Sequence, residues 1–107
     1  MKKFWVIIDD LESLGCEIIV KDPRAWREIL TGLKGKIECL LIDGSFGPFA
    51  PIDGPTILRN VIEEDLLPDC VQTVSGLPEY NKIMGNILKQ NGYHFDEENK
   101  FWKKIFD

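Results

Sequence analysis

The apolar residues of this chain fall in short blocks separated by charged or turn-forming residues. Phe4 to Ile8 is aromatic and β-branched, with Lys2-Lys3 before it and Asp9-Asp10 after it. Such a run suits a strand buried on both faces, the kind found in parallel sheets. Cys16-Glu17-Ile18-Ile19-Val20 is a second. Only seven residues separate the two, Gly15 among them, so no full helix fits between. Asp22 then caps a helix opened by Pro23, whose missing N–H costs nothing in a first turn. Ala25, Trp26, Ile29, Leu30 and Leu33 recur at helical spacing, and Gly32 and Gly35 end the helix. Ile37 to Ile42 is a third strand, apolar except for Glu38. Gly44, Gly47, Gly54, Pro48, Pro51 and Pro55 mark residues 43 to 55 as a loop. Thr56, Ile57, Leu58, Val61, Ile62 and Leu66 form the face of a second helix, which Pro68-Asp69 stops. Cys70 to Val74 is a fourth strand, closing at Ser75-Gly76. Pro78 opens a third helix with Tyr80, Ile83, Met84, Ile87 and Leu88 on one side, capped by Asn91-Gly92.

The tail admits two readings. Tyr93-His94-Phe95, an acidic turn at Asp96 to Asn99, and Lys100 to Phe106 can form a hairpin whose return strand carries Trp102 and Ile105. Alternatively, a short strand is followed by a helix with Phe101, Trp102, Ile105 and Phe106 inward. The acidic turn and the close aromatic spacing favour the hairpin. Buried strands alternating with helices imply a mostly parallel sheet with right-handed crossovers. The predicted fold is α/β: one domain over residues 1–107, a flavodoxin-like three-layer sandwich lacking its first crossover helix.

In such a sheet, ligands bind outside the carboxyl ends of the strands, where the strand order reverses. The first predicted strand ends in Asp9 and Asp10, the third in Asp43, the fourth in Thr73, Ser75 and Gly76. In a flavodoxin-like order the first and third strands are neighbours, so the three acids converge. Three carboxylates in one crevice repel, and a hard cation such as Mg²⁺ relieves the repulsion. Asp43 beside that ion is a candidate nucleophile toward phosphorus, with Ser75 or Thr73 binding a phosphoryl oxygen. The plainer reading is that these aspartates only cap turns.

Composition narrows the chemistry further. The chain has 107 residues, a net charge of -5 and a single histidine, His94. An acidic chain of pI about 4.9 is not expected to grip nucleic acid or anionic membranes. One histidine leaves no site that uses two. Cys16, Cys39 and Cys70 lack the close spacing of zinc ribbons or thioredoxin-like motifs and read as buried packing. The apolar run at the start is too short for a signal peptide and no stretch suits a membrane span, so the expected compartment is the cytoplasm. Phe46 and Phe49 in the long loop either form a lid beside the acids or pack onto the sheet. Lys100, Lys103 and Lys104 read as lysines lying over buried aromatics.

These residues resemble the receiver domain of bacterial response regulators. Ile8-Asp9-Asp10 is similar to the acidic pair of that family, and Leu41-Ile42-Asp43 to the strand bearing its phosphoacceptor aspartate. Ile52-Asp53-Gly54 with Ile57-Leu58-Arg59 resembles the loop and helix that follow, and Thr73-Val74-Ser75 lies where the family has a hydroxyl. Receivers also carry a helix between their first two strands and a lysine after the fifth. Here there is no room for the helix, and Tyr93-His94-Phe95-Asp96 holds no lysine. The layout is closer to a receiver-like family proposed to process cyclic phosphates, which also drops the first helix and starts a helix as Asp22-Pro23 does. Where that family places histidines, this chain has Gly44 and Val74.

The resemblance implies a non-enzymatic, receiver-like signalling or interaction domain with a protein partner. Asp9, Asp10 and Asp43 would hold Mg²⁺, and Asp43 would be a phosphoacceptor or the relic of one. The alternatives are a Mg²⁺-dependent phosphoesterase acting on cyclic phosphates or nucleic-acid ends, and an interaction domain with no metal site.

Overall fold

The computed structural model describes residues 2–48 and 50–106. The chain runs through β1 (Phe4–Ile8), β2 (Ile18–Val20), a 3₁₀ turn at Pro23–Ala25, α1 (Trp26–Gly32), β3 (Ile37–Ile42) and α2 (Gly54–Glu63). It continues through β4 (Cys70–Thr73), α3 (Pro78–Gln90), β5 (Tyr93–Asp96) and β6 (Phe101–Lys104). The six strands form one sheet in the order β2-β1-β3-β4-β6-β5. The first four are parallel, and β6 is antiparallel to both β4 and β5. The α/β class and the mostly parallel sheet match the sequence pattern, and residues 9 to 17 contain no helix.

The tail is a hairpin, as its turn chemistry favours. Asp96 Oδ1 accepts from the amides of Glu98 and Asn99, and Lys100 adopts a left-handed φ of 63°. Its place in the sheet was not foreseen. The return strand β6 inserts between β4 and β5, pairing Val71 with Trp102 on one side and Phe95 with Trp102 on the other. A fifth strand next to the fourth, as in a flavodoxin order, is therefore absent.

The three-layer sandwich is corrected to two layers. Trp26 and Leu30 of α1, Ile57, Leu58 and Val61 of α2, and Met84, Ile87 and Leu88 of α3 share one core with Val6, Ile8, Leu40, Ile42 and Val71. Ile7, Cys39 and Leu41 point to the other face and meet Cys16, Cys70, Val74 and Phe101, with no helical residue among them. Crossover handedness explains this. A right-handed connection puts its helix on a face set by the direction the chain moves across the sheet. From β2 to β3, β3 to β4 and β4 to β5 the chain moves one way; of the connections between parallel strands, only β1 to β2 moves the other way. That connection is the one too short to hold a helix.

The helix-free face is covered by side chains of the sheet itself. Trp5 on β1 and Phe101 on β6 flank β3 and β4, yet their ring centroids are 5.6 Å apart. Strands spaced roughly 4.8 Å apart put β1 and β6 far beyond that distance, so both rings lean inward over the two strands between. A bulge keeps β3 compatible with both faces. Phe4 pairs with Ile37 and Trp5 with Cys39, so Glu38 is the extra residue and stays in solvent while Ile37 enters the helical core.

Candidate acidic site

β1 and β3 are neighbours, and their carboxyl ends bring Asp9, Asp10 and Asp43 together. One carboxylate oxygen from each lies within 4.8 Å of the others. Two short backbone bonds fix the strand ends: the Asp9 amide donates to the Val20 carbonyl, and the Asp43 amide to the Ile8 carbonyl. Asp9 is the one buried charged residue among the described residues, and Asp43 is partly buried.

Both also do the work that the plainer reading assigned to them. Asp9 Oδ1 accepts from the amides of Leu11 and Glu12, which starts the turn after β1. Asp43 Oδ1 accepts from the amides of Gly44 at 2.7 Å and Ser45 at 3.5 Å. Turn capping uses Oδ1 of each aspartate. Among the described residues, no ion pair neutralises any of the three acids. Burial, and then the charge of Asp9, push the Asp43 carboxyl above its ordinary range. The Gly44 and Ser45 amides and the Ser75 hydroxyl act in the opposite direction, favouring the carboxylate.

Ser75 and Thr73 separate. Ser75 stands beside Asp43, held by a reciprocal pair of bonds in which its amide donates to Asn81 Oδ1 and its carbonyl accepts from Asn81 Nδ2. Its hydroxyl also accepts from the Leu77 amide, starting α3. Thr73 pairs with Ile42 in register and lines a recess with Gln72, Asn81, Phe95 and Trp102. Asp10 is half-buried and borders a shallow recess with Lys21, Arg24 and Phe46. A further recess at the opposite, amino-terminal ends of β3 and β4 is lined by Lys3, Lys34, Lys103 and Lys104 together with Glu38, Asp65 and Asp69.

The loop after Asp43 returns to its own start. The Gly54 amide donates to the Gly44 carbonyl at 2.8 Å, which ties the start of α2 to the end of β3. Phe46 packs into the helical core and also borders the recess at Asp10, while Phe49 lies outside the described residues. Gly44 rests against the side chain of Tyr80 on α3, with no room for a Cβ. Asn81 and Tyr80 are the positioning residues that sequence reading missed. Their only signal was their place in the first turn of a helix after a strand ending in serine. His94 lies on β5, beyond β6 and β4 from the acids. Compared with known proteins, the chain matches no family model, no curated protein and no solved structure.

Proposed function

We propose that this chain is a receiver-like signalling or interaction module whose acidic crevice binds Mg²⁺ through Asp9, Asp10 and Asp43. The observation that carries the reading is the convergence of three carboxylate oxygens within 4.8 Å from two neighbouring strands, with no ion pair to neutralise them among the described residues. The donor set suits a hard ion, because all three ligands are carboxylate oxygens. A bound ion would offset the mutual repulsion of the acids and hold a phosphoryl oxygen. Asp43 would then present a carboxylate oxygen to phosphorus, and the Ser75 hydroxyl would donate to the phosphoryl group. Among the described residues no imidazole borders the acids, since His94 lies on β5; Lys21 and Arg24 border the recess at Asp10, where they can attract a phosphoryl anion.

The test is an NMR titration of the full chain with MgCl₂. Millimolar Mg²⁺ should move the amide signals of residues 9–12 and 43–45 and leave those of β5 in place. No movement there overturns the metal site. With Mg²⁺ present, beryllofluoride should then shift Asp43 and Ser75 if Asp43 accepts a phosphoryl group. Turnover of a cyclic phosphate instead would replace this reading with the enzymatic one.

A further inference from the structure

All three cysteines meet on the helix-free face, although they are scattered in sequence. Cys39 is fully buried there, and Cys16 and Cys70 pack against it. Cys39 and Cys70 stand side by side on neighbouring parallel strands, each one residue before the paired Leu40 and Val71. Their sulfurs are 2.9 Å apart and share a hydrogen bond. Neighbouring strands lie roughly 4.7–4.9 Å apart, inside the Cα separation of about 4.4–6.8 Å that a disulfide spans. Both Cβ atoms point to the same face.

We propose that Cys39 and Cys70 are a redox-modification site, closing reversibly into a disulfide that staples β3 to β4. It stands independently of the acidic crevice, which lies at the other end of these strands. The two thiols have unequal roles. Cys70 is partly exposed and faces Lys103 across the β4–β6 pair, while Cys39 has no access to solvent. The shared hydrogen bond with Cys39 and then the Lys103 charge lower the Cys70 thiol from its ordinary range, and Cys39 is pushed up in return. Cys70, the thiol that solvent reaches, is the attacking sulfur, and the buried Cys39 is the resolving one. Burial, with help from Glu17, pushes up the third thiol, Cys16, and keeps it out of the exchange.

The oxidant is a small-molecule disulfide such as oxidised glutathione. The Cys70 thiolate attacks one of its sulfurs, forming a mixed disulfide and releasing one glutathione thiolate. The buried Cys39 thiol attacks the Cys70 sulfur, and its proton passes to the departing glutathione sulfur, which leaves as the second glutathione thiol. Two protein thiols are oxidised to one disulfide, and one small disulfide is reduced to two thiols.

The experiment treats the full, folded chain with oxidised glutathione, alkylates the remaining thiols, digests without reductant and maps the peptides by mass spectrometry. The expected product joins the Cys39 and Cys70 peptides, leaves Cys16 alkylated and reverts with dithiothreitol. Before oxidation, Cys70 should be alkylated at least about tenfold faster than Cys39. In Cys39→Ser the reaction should stop at a glutathione adduct on Cys70, and in Cys70→Ser it should leave Cys39 unmodified. The proposal is overturned if the unsubstituted chain stops at the adduct, if Cys16 takes part in the link, or if the link forms only after urea unfolding. Free thiols in a chain whose circular dichroism remains native overturn it as well.

Discussion

Gly54, the first residue of α2, lies against the Asp43 carbonyl with no space between them for a side chain. The Gly44 backbone blocks the same space. A helix start is thus docked on the end of the strand that supplies the candidate metal ligand. Gly54→Ala should force the two backbones apart and cost roughly 2 kcal/mol, the usual range for overpacking. Urea denaturation measures the loss. The Mg²⁺ response of residues 43–45 should weaken in the same variant, because the displaced element is the backbone that carries Asp43.

Asp43→Asn should stabilise the metal-free chain at neutral pH. The Asp43 carboxyl holds its proton more tightly in the folded chain than in the unfolded one, through burial and the neighbouring charge of Asp9. Ionising it at pH 7 therefore costs stability, and the folded state binds the extra proton only as pH falls. The neutral amide removes that cost and keeps an acceptor for the Gly44 and Ser45 amides. The expected gain is at most about 1 kcal/mol, roughly 4 °C in Tm. It should shrink to nothing as the pH is lowered past the ordinary aspartate value of about 4. Thermal melts of both chains across pH 3–8 decide this, and an unchanged difference at low pH would count against it.

Tyr93 ties β5 to the segment before β4. Its hydroxyl donates to the Pro68 carbonyl at 2.6 Å, and its ring is buried in the helical core. Tyr93→Phe keeps the ring and leaves that carbonyl without its donor, a loss of about 1–2 kcal/mol. Burial, and then Asp69 and Asp65, hold the phenol well above its ordinary range in the folded chain. The unfolded chain releases this proton first, so the contribution of Tyr93 is complete below pH of about 10 and fades above it. The alkaline loss of stability should be shallower in Tyr93→Phe, as pH-dependent denaturation will show.

Asp53 caps α2 by accepting from the Thr56 amide at 2.9 Å. Asp53→Ala should cost about 1 kcal/mol, and Asp53→Ser should recover most of it, since a hydroxyl serves the same amide. The paired denaturation curves separate the cap from any effect of charge: an equal loss in both variants would assign the effect to charge instead.

Much of this architecture was legible in the chain, for local reasons. Pro23, Pro55 and Pro78 stand at helix starts because their fixed φ and missing N–H suit those positions. Asp9 and Asp43 were legible as strand ends because charge stops a buried apolar run. Their meeting followed from β1 and β3 being neighbours. Ser75 and Thr73 looked equivalent in sequence, but the register turns Thr73 toward the recess beside α3, while Asn81 holds Ser75 near Asp43. Phe46 was ambiguous because only the closure of its loop at Gly44 and Gly54 directs the ring into the core.

By itself, the sequence determined the α/β alternation, the missing first crossover helix and the acids at the strand ends, because period, caps and turn residues act within a few positions. Only the tertiary structure decided that β6 lies between β4 and β5, that every helix shares one face, and that Cys39 and Cys70 touch. Those outcomes depend on pairings between segments distant in sequence. The pairing of Trp102 with Val71 on one side and Phe95 on the other is such a case. No local pattern carries that information.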